Sequence, residues 1–153
     1  MMEEKQKYPI NISAPNLLNI CIDEMVHGEI RGRMFHCYAN EPIVFANVVE
    51  LIKNAEDFFD AIAFPQASTQ SRSFKEKAVT KQYPPLKKVC GYEDIVCQRG
   101  ELGSFITNVK FRQNSTWQGE IFWIEGEEKG IFTNSLDFVK LVDQALVRCT
   151  ENK

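Results

Sequence analysis

The sequence predicts an α+β fold: a β-β-β-α unit present in tandem, forming antiparallel sheet or sheets with two packed helices and a pseudo-twofold between the halves. Three observations carry this expectation. First, residues 31–59 (RGRMFHCYANEPIVFANVVELIKNAEDFF) lie over residues 118–146 (QGEIFWIEGEEKGIFTNSLDFVKLVDQAL) at a constant offset of 87, without a gap. Gly32 falls on Gly119, Phe35 on Phe122, Phe45 on Phe132, Asn47 on Asn134 and Lys53 on Lys140. Second, both copies open with apolar residues at period two: Leu18, Ile20 and Ile22 in one, Phe105, Val109 and Phe111 in the other. That is the spacing of a half-buried strand. Third, both copies close with a helix-start signal of the same chemistry.

The elements follow in chain order. Residues 1–16 read as an N-terminal tail, and 17–62 as the first unit. Strands are expected over 17–26 and 30–38; the Asn and Pro of YANEP then make a turn, and a short third strand ends at Phe45. At Asn47 the side chain can accept from free N–H groups of a new helix, with Glu50 three residues on in its electropositive first turn. Val48, Leu51, Ile52, Ala55, Phe58, Phe59 and Ile62 share one face of that helix, and Pro65 closes it.

Residues 63–103 form a basic connector containing proline and serine. Within it KQYPPLKK reads as extended polyproline-like chain and YEDIVCQ as a short helix or strand; no structure is assigned to 66–82. The second unit spans 104–149, with strands over 104–113 and 117–125, a turn in EGEEKG and a third strand ending at Phe132. Asn134 and Asp137 repeat the cap, and Leu136, Val139, Val142 and Leu146 are the expected apolar face. Residues 150–153 read as a tail. One such unit buries too little apolar surface to stand alone, so the halves should share a core. Gly32 and Gly119, shared by both copies, read as bulge or close-approach positions on the second strands.

Composition narrows the function classes. The chain is 44% hydrophobic and 25% charged, as globular proteins are. No apolar run approaches the roughly 20 residues that span a bilayer. The start, MMEEKQKYPINIS, lacks the apolar core of a secretory signal. A cytoplasmic location without membrane association is therefore expected. The five cysteines are odd in number and none is spaced as C-x-x-C, so a disulfide framework is not expected. Neither is a metal site, because the cysteines with His27 and His36 lack the ligand spacing of zinc modules. No phosphate loop, nucleophile elbow or zinc-protease motif is present. No catalytic residue and no cofactor is assigned.

Charge is patterned: net −5 over residues 1–64, +5 over 65–88 and −3 over 89–153. Arg72, Lys75 and Lys77 in the basic connector are candidate phosphate contacts, although the acidic flanks disfavour nucleic acid.

The stretch RQNSTWQ, residues 112–118, is special to the second copy. Arg112, Gln113, Asn114, Trp117 and Gln118 gather a guanidinium, amides and an indole at a hairpin end. Guanidinium pairs with carboxylate or phosphate, amides read hydrogen-bond edges, and indole stacks. The competing reading is structural: turn-forming amides, a buried Trp117, and Arg112 paired with Glu120 across the hairpin.

The same stretch carries a resemblance. With Arg112, Gln113, Asn114, Trp117, Gln118, Gly119, Trp123, Phe132, Lys140, Leu141, Asp143, Ala145 and Leu146, the C-terminal unit resembles a family of small bacterial (Firmicutes) proteins. That family shares an R-Q-N-x-x-W-Q-G strand-turn-strand pattern followed by an F-x-S/N-x-x-E/D helix. The helix entry FTNSLDF departs slightly from the family pattern. The resemblance implies the fold unit and no particular activity.

On these grounds the expected function is a non-enzymatic binding or protein-interaction module. It would engage a protein or a small polar ligand through Arg112, Gln113, Asn114, Trp117 and Gln118, as a monomer or homodimer. Nucleic-acid or phosphate-ligand binding through the connector, and a small enzyme of unidentified class, are the alternatives.

Overall fold

The computed structural model describes residues 8–65, 87–113 and 116–151. Strands β1 (Leu18–Val26), β2 (Glu29–Phe35) and β3 (Ile43–Phe45) form a meander that leads into helix α1 (Val48–Ile62). A short helix, α2 (Tyr92–Val96), precedes β4 (Gly103–Gln113), β5 (Thr116–Trp123), β6 (Glu128–Phe132) and helix α3 (Ser135–Glu151). The strands make one six-stranded antiparallel sheet in the order β3-β2-β1-β4-β5-β6. The class is α+β.

Two ladder irregularities set which side chains face which way. β1 bulges between Ile22 and Glu24, and β4 between Val109 and Phe111. Each bulge lies beside a glycine: Gly32 pairs with Ile22, and Gly119 with Val109. A Cβ on Gly32 would lie 1.9 Å from the Cys21 carbonyl oxygen, and one on Gly119 2.0 Å from that of Asn108. Both glycines are therefore demanded by close backbone approach. The extra residue in β4 shifts the alternation by one. Phe111, expected to share a face with Val109, instead lies opposite Gln118 and is 54% exposed. Arg112, the next residue, turns to the helix side with Trp117.

Both helices cover one face of the sheet. Leu51, Ala55, Phe58 and Phe59 of α1 and Phe138, Val142, Ala145 and Leu146 of α3 join one core with Leu18, Ile20, Ile22, Met34, Phe105 and Trp117. The caps form as their chemistry requires. Asn47 Oδ1 accepts from the Glu50 N–H at 2.9 Å, and Asn134 Oδ1 from the Asp137 N–H at 2.8 Å. Each such cap contributes about 1 kcal/mol. The acid returns to the residue before the cap: Glu50 accepts from the Ala46 N–H and Asp137 from the Thr133 N–H. α1 stops with Ala63 in the left-handed region, two residues before Pro65. On α3 the helical phase differs from the expected face. Leu136 is 61% exposed, and Phe138 takes the inward position.

The other face is covered by segments the sequence left irregular. Residues 8–16, expected within a tail, pack on it: Tyr8 and Ile10, with Leu17, form a second core with Val96, Ile106 and Phe122. Within the connector, α2 lies against β1, where Asn19 Nδ2 donates to the carbonyls of Ile95 (2.8 Å) and Gln98 (2.9 Å). Among the described residues, no helix is long and apolar enough to cross a membrane.

Gly119→Ala is expected to cost about 3 kcal/mol, because the overpacked atom is backbone and cannot swing aside. In thermal melts that is a fall of roughly 10 °C for a chain of this size. Gly91, around which nothing lies within 4 Å of a built Cβ, is the control. Equal melting of Gly119→Ala and Gly91→Ala would contradict the close approach.

Candidate functional site

The sequence points first to the end of the β4–β5 hairpin. There the register does bring Arg112 and Trp117 together as a cross-strand pair. They face inward, at 3% and 1% exposure. Arg112 Nε donates to the Pro65 carbonyl at 2.7 Å, and Nη1 donates to Glu56 and Asp60 at 2.9 Å each. Its guanidinium carbon lies 5.4 Å from the centroid of Phe59. The Trp117 indole N–H donates to Glu56, and its ring meets Phe59 and Phe138 edge-on at 5.7 and 5.5 Å. This arrangement ties α1 of the first half to a hairpin of the second. It is not the exposed sheet end that a docking surface needs.

The expected Arg112–Glu120 pair does not form. Glu120 lies on the opposite face, between Lys110 at 3.2 Å and Lys129 at 2.9 Å. Burial disfavours its charge, but the bonds from the two ammonium groups prevail and hold its carboxyl below the usual range. Gln118 is half-buried on that same face, opposite Phe111. Gln113 ends β4; its side chain, Asn114 and the connector's Arg72, Lys75 and Lys77 lie outside the described residues.

A histidine cluster sits at the end of β2. His36 is buried, and its ring stacks on Phe58 at 4.1 Å between centroids and 13° between planes. Nδ1 accepts from the Tyr38 N–H at 3.0 Å, which assigns the ring proton to Nε2. Burial lowers the pKa from 6.5 to about 4. This is a neutral packing histidine.

The position 87 residues after His36 is Trp123, and there the packing differs. Phe58 is matched at that offset by Ala145, and Ile43 by Gly130. Where two large side chains fill the first half, a methyl and a hydrogen stand in the second. A cleft of about 90 Å³ opens between α3 and β5–β6, lined by Phe105, Ile121, Trp123, Gly130, Leu141 and Ala145, among others. Glu128 and Arg148, an ion pair, also line it, and the Arg148 guanidinium lies 5.1 Å over the Trp123 ring. Trp123 is 8% exposed, and its indole N–H is buried without a hydrogen-bond partner among the described residues. A buried donor in that state loses its hydration without replacement, a cost of about 1–3 kcal/mol. The volume suits a small group rather than a whole cofactor.

This cleft escapes a reading based on functional groups. Its signal is a difference in side-chain size between aligned positions, Phe58 against Ala145 and Ile43 against Gly130. Among the described residues, no group of three or more His, Cys, Asp or Glu side chains is placed to hold a metal ion. Comparison with protein-family models, curated proteins and solved structures gave no match.

Two outcomes check the structural roles assigned above. Arg112→Ala should lower unfolding free energy by about 3 kcal/mol in urea titrations, since it removes a buried guanidinium and its bonds to Glu56, Asp60 and the Pro65 carbonyl. An unchanged midpoint would refute the tie. For His36, the folded pKa of about 4 lies below the 6.5 of the free side chain. The unfolded chain therefore binds the extra proton first, and the histidine's contribution is complete above pH 6.5 and shrinks as pH falls toward 4. In this window the wild type should lose more stability than His36→Phe; parallel curves would contradict it.

Proposed function

We propose that the chain is a non-enzymatic binding module built from two copies of one β-β-β-α unit, the second of which has opened a recognition cleft. The observation that supports this most directly is that the cleft is lined by Trp123, whose buried indole N–H has no hydrogen-bond partner among the described residues. Its natural complement is an apolar group carrying a hydrogen-bond acceptor. The apolar part would lie against Phe105, Ile121, Leu141 and Ala145, and the acceptor would take the indole proton. Because Arg148 is already paired with Glu128, a neutral acceptor such as an amide or ketone carbonyl suits the site better than a second anion. Such a group is presented equally by a small ligand or by a side chain of a protein partner.

Binding of so small a group is weak, with dissociation constants on the order of millimolar. The indole proton resonance of Trp123 is a direct reporter. Titration with N-methylacetamide and with butanone should shift the Trp123 indole peak in a saturable way while leaving that of Trp117 in place. Ala145→Phe, which restores at this position the residue found at Phe58, should abolish the shift in a protein that still folds. A Trp123 peak that does not move, or one that moves equally in Ala145→Phe, sinks the proposal.

A further inference from the structure

A second pair of groups lies away from the cleft, where the chain leading into α2 runs beside the end of β2. The Cys37 carbonyl accepts from the N–H groups of Val89 at 2.8 Å and Cys90 at 3.3 Å. The Cys90 sulfur lies 3.8 Å from the Cys37 carbonyl oxygen and 4.0 Å from that of His36. The Cys90 side chain thus lies against the backbone of Cys37. All five cysteines are in the thiol form.

We propose that Cys37 and Cys90 form a reversible thiol–disulfide site that reacts with low-molecular-weight disulfides and fastens the chain entering α2 to the end of β2. The two sulfurs have different roles because their surroundings differ. Cys37 is 4% exposed, whereas Cys90 is half-buried and reachable from solvent. Cys90 therefore attacks the external disulfide. Its thiolate displaces one thiolate of the reagent and leaves a Cys90 mixed disulfide. Cys37 then gives up its proton and attacks the Cys90 sulfur, which expels the second reagent thiolate. One disulfide is reduced to two thiols, and two protein thiols become one disulfide, with their protons passing to the released thiolates.

Two of the other three cysteines frame the test. Cys21 is fully buried, and burial pushes its pKa up to about 12, so it is inert. Cys97 is exposed, bonded to the Asp94 carbonyl on α2's last turn, and is available to the reagent as an unresolved comparison.

The experiment exposes the folded protein to graded ratios of oxidised to reduced glutathione, quenches with acid, alkylates and maps peptides by mass. The wild type should yield the Cys37–Cys90 linked peptide as its main product, with glutathione accumulating on Cys97 and not on Cys90. In Cys37→Ser, glutathione on Cys90 should rise at least about tenfold, because the resolving thiol is gone. In Cys90→Ser, Cys37 should stay unmodified. Cys37 that stays reduced across the whole range in the wild type would overturn the proposal. So would equal Cys90 adducts in wild type and Cys37→Ser, or a link from Cys37 to Cys21 or Cys97. If Cys37→Ser does not fold, the wild-type map and Cys90→Ser decide the matter alone.

Discussion

The structure depends on the ladder between β1 and β4, in which Leu18 to Ile22 pair with Thr107 to Gly103. Among the described residues this is the ladder that joins the two meanders into one sheet. Its side chains supply both faces at once. Leu18, Ile20, Ile22 and Phe105 point into the helix-covered core. Asn19 and Ser104 point the other way, fully buried, and their hydrogen bonds choose what docks there. Asn19 gathers the carbonyls at the end of α2, while Ser104 accepts from the Gly100 N–H at 2.9 Å and donates to Glu125 at 2.8 Å. A buried polar pair at a seam specifies its partner because any other partner leaves the group unsatisfied.

On either side of this seam a three-stranded meander leads into a helix, and the two sides differ in their side chains. Each bulge residue pairs with a charge on the neighbouring strand, but with opposite sign in the two halves. Asp23 accepts a forked bond from Arg33 at 2.9 and 3.1 Å, while Lys110 reaches Glu120 at 3.2 Å. The bulge keeps its geometry under either polarity because attraction across a strand pair is indifferent to which side carries the cation. Beyond the bulge, Met25 and Ile30 pair in one hairpin where Arg112 and Trp117 pair in the other. At the far end, Ala145 and Gly130 line a cleft, whereas Phe58 and Ile43 pack in the other half.

Local chemistry made much of this legible in the sequence. The third strands end at Phe45 and Phe132, as expected, because a cap follows each within two residues. Gly32 and Gly119 stood out because a missing side chain at matched places has few explanations. What stayed hidden was long-range. The period-two run through Phe111 breaks at Lys110, and nothing local marks an inserted residue. Tyr8 and Ile10 read as tail because their partners, Ile106 and Phe122, lie in the second half. The clustering of Arg112 and Trp117 at one hairpin end was visible, but their cross-strand pairing and burial were not, since these depend on the bulge in β4 and on Glu56 and Asp60 of a distant helix. The cleft at Trp123 required comparing sizes at matched positions rather than searching for reactive groups.

The lodging of residues 8–17 on the second face has a consequence for how the chain is made. The surface that receives Tyr8 and Ile10 includes Ile106 and Phe122, about 100 residues later in synthesis. At ribosomal rates of about 5–20 residues per second, the first segment waits on the order of 5–20 s for its binding surface to exist. Over the same interval β1 has an unpaired edge, since β4 has not emerged. Until then the first half lacks both the strand that pairs with β1 and the surface that seats Tyr8 and Ile10.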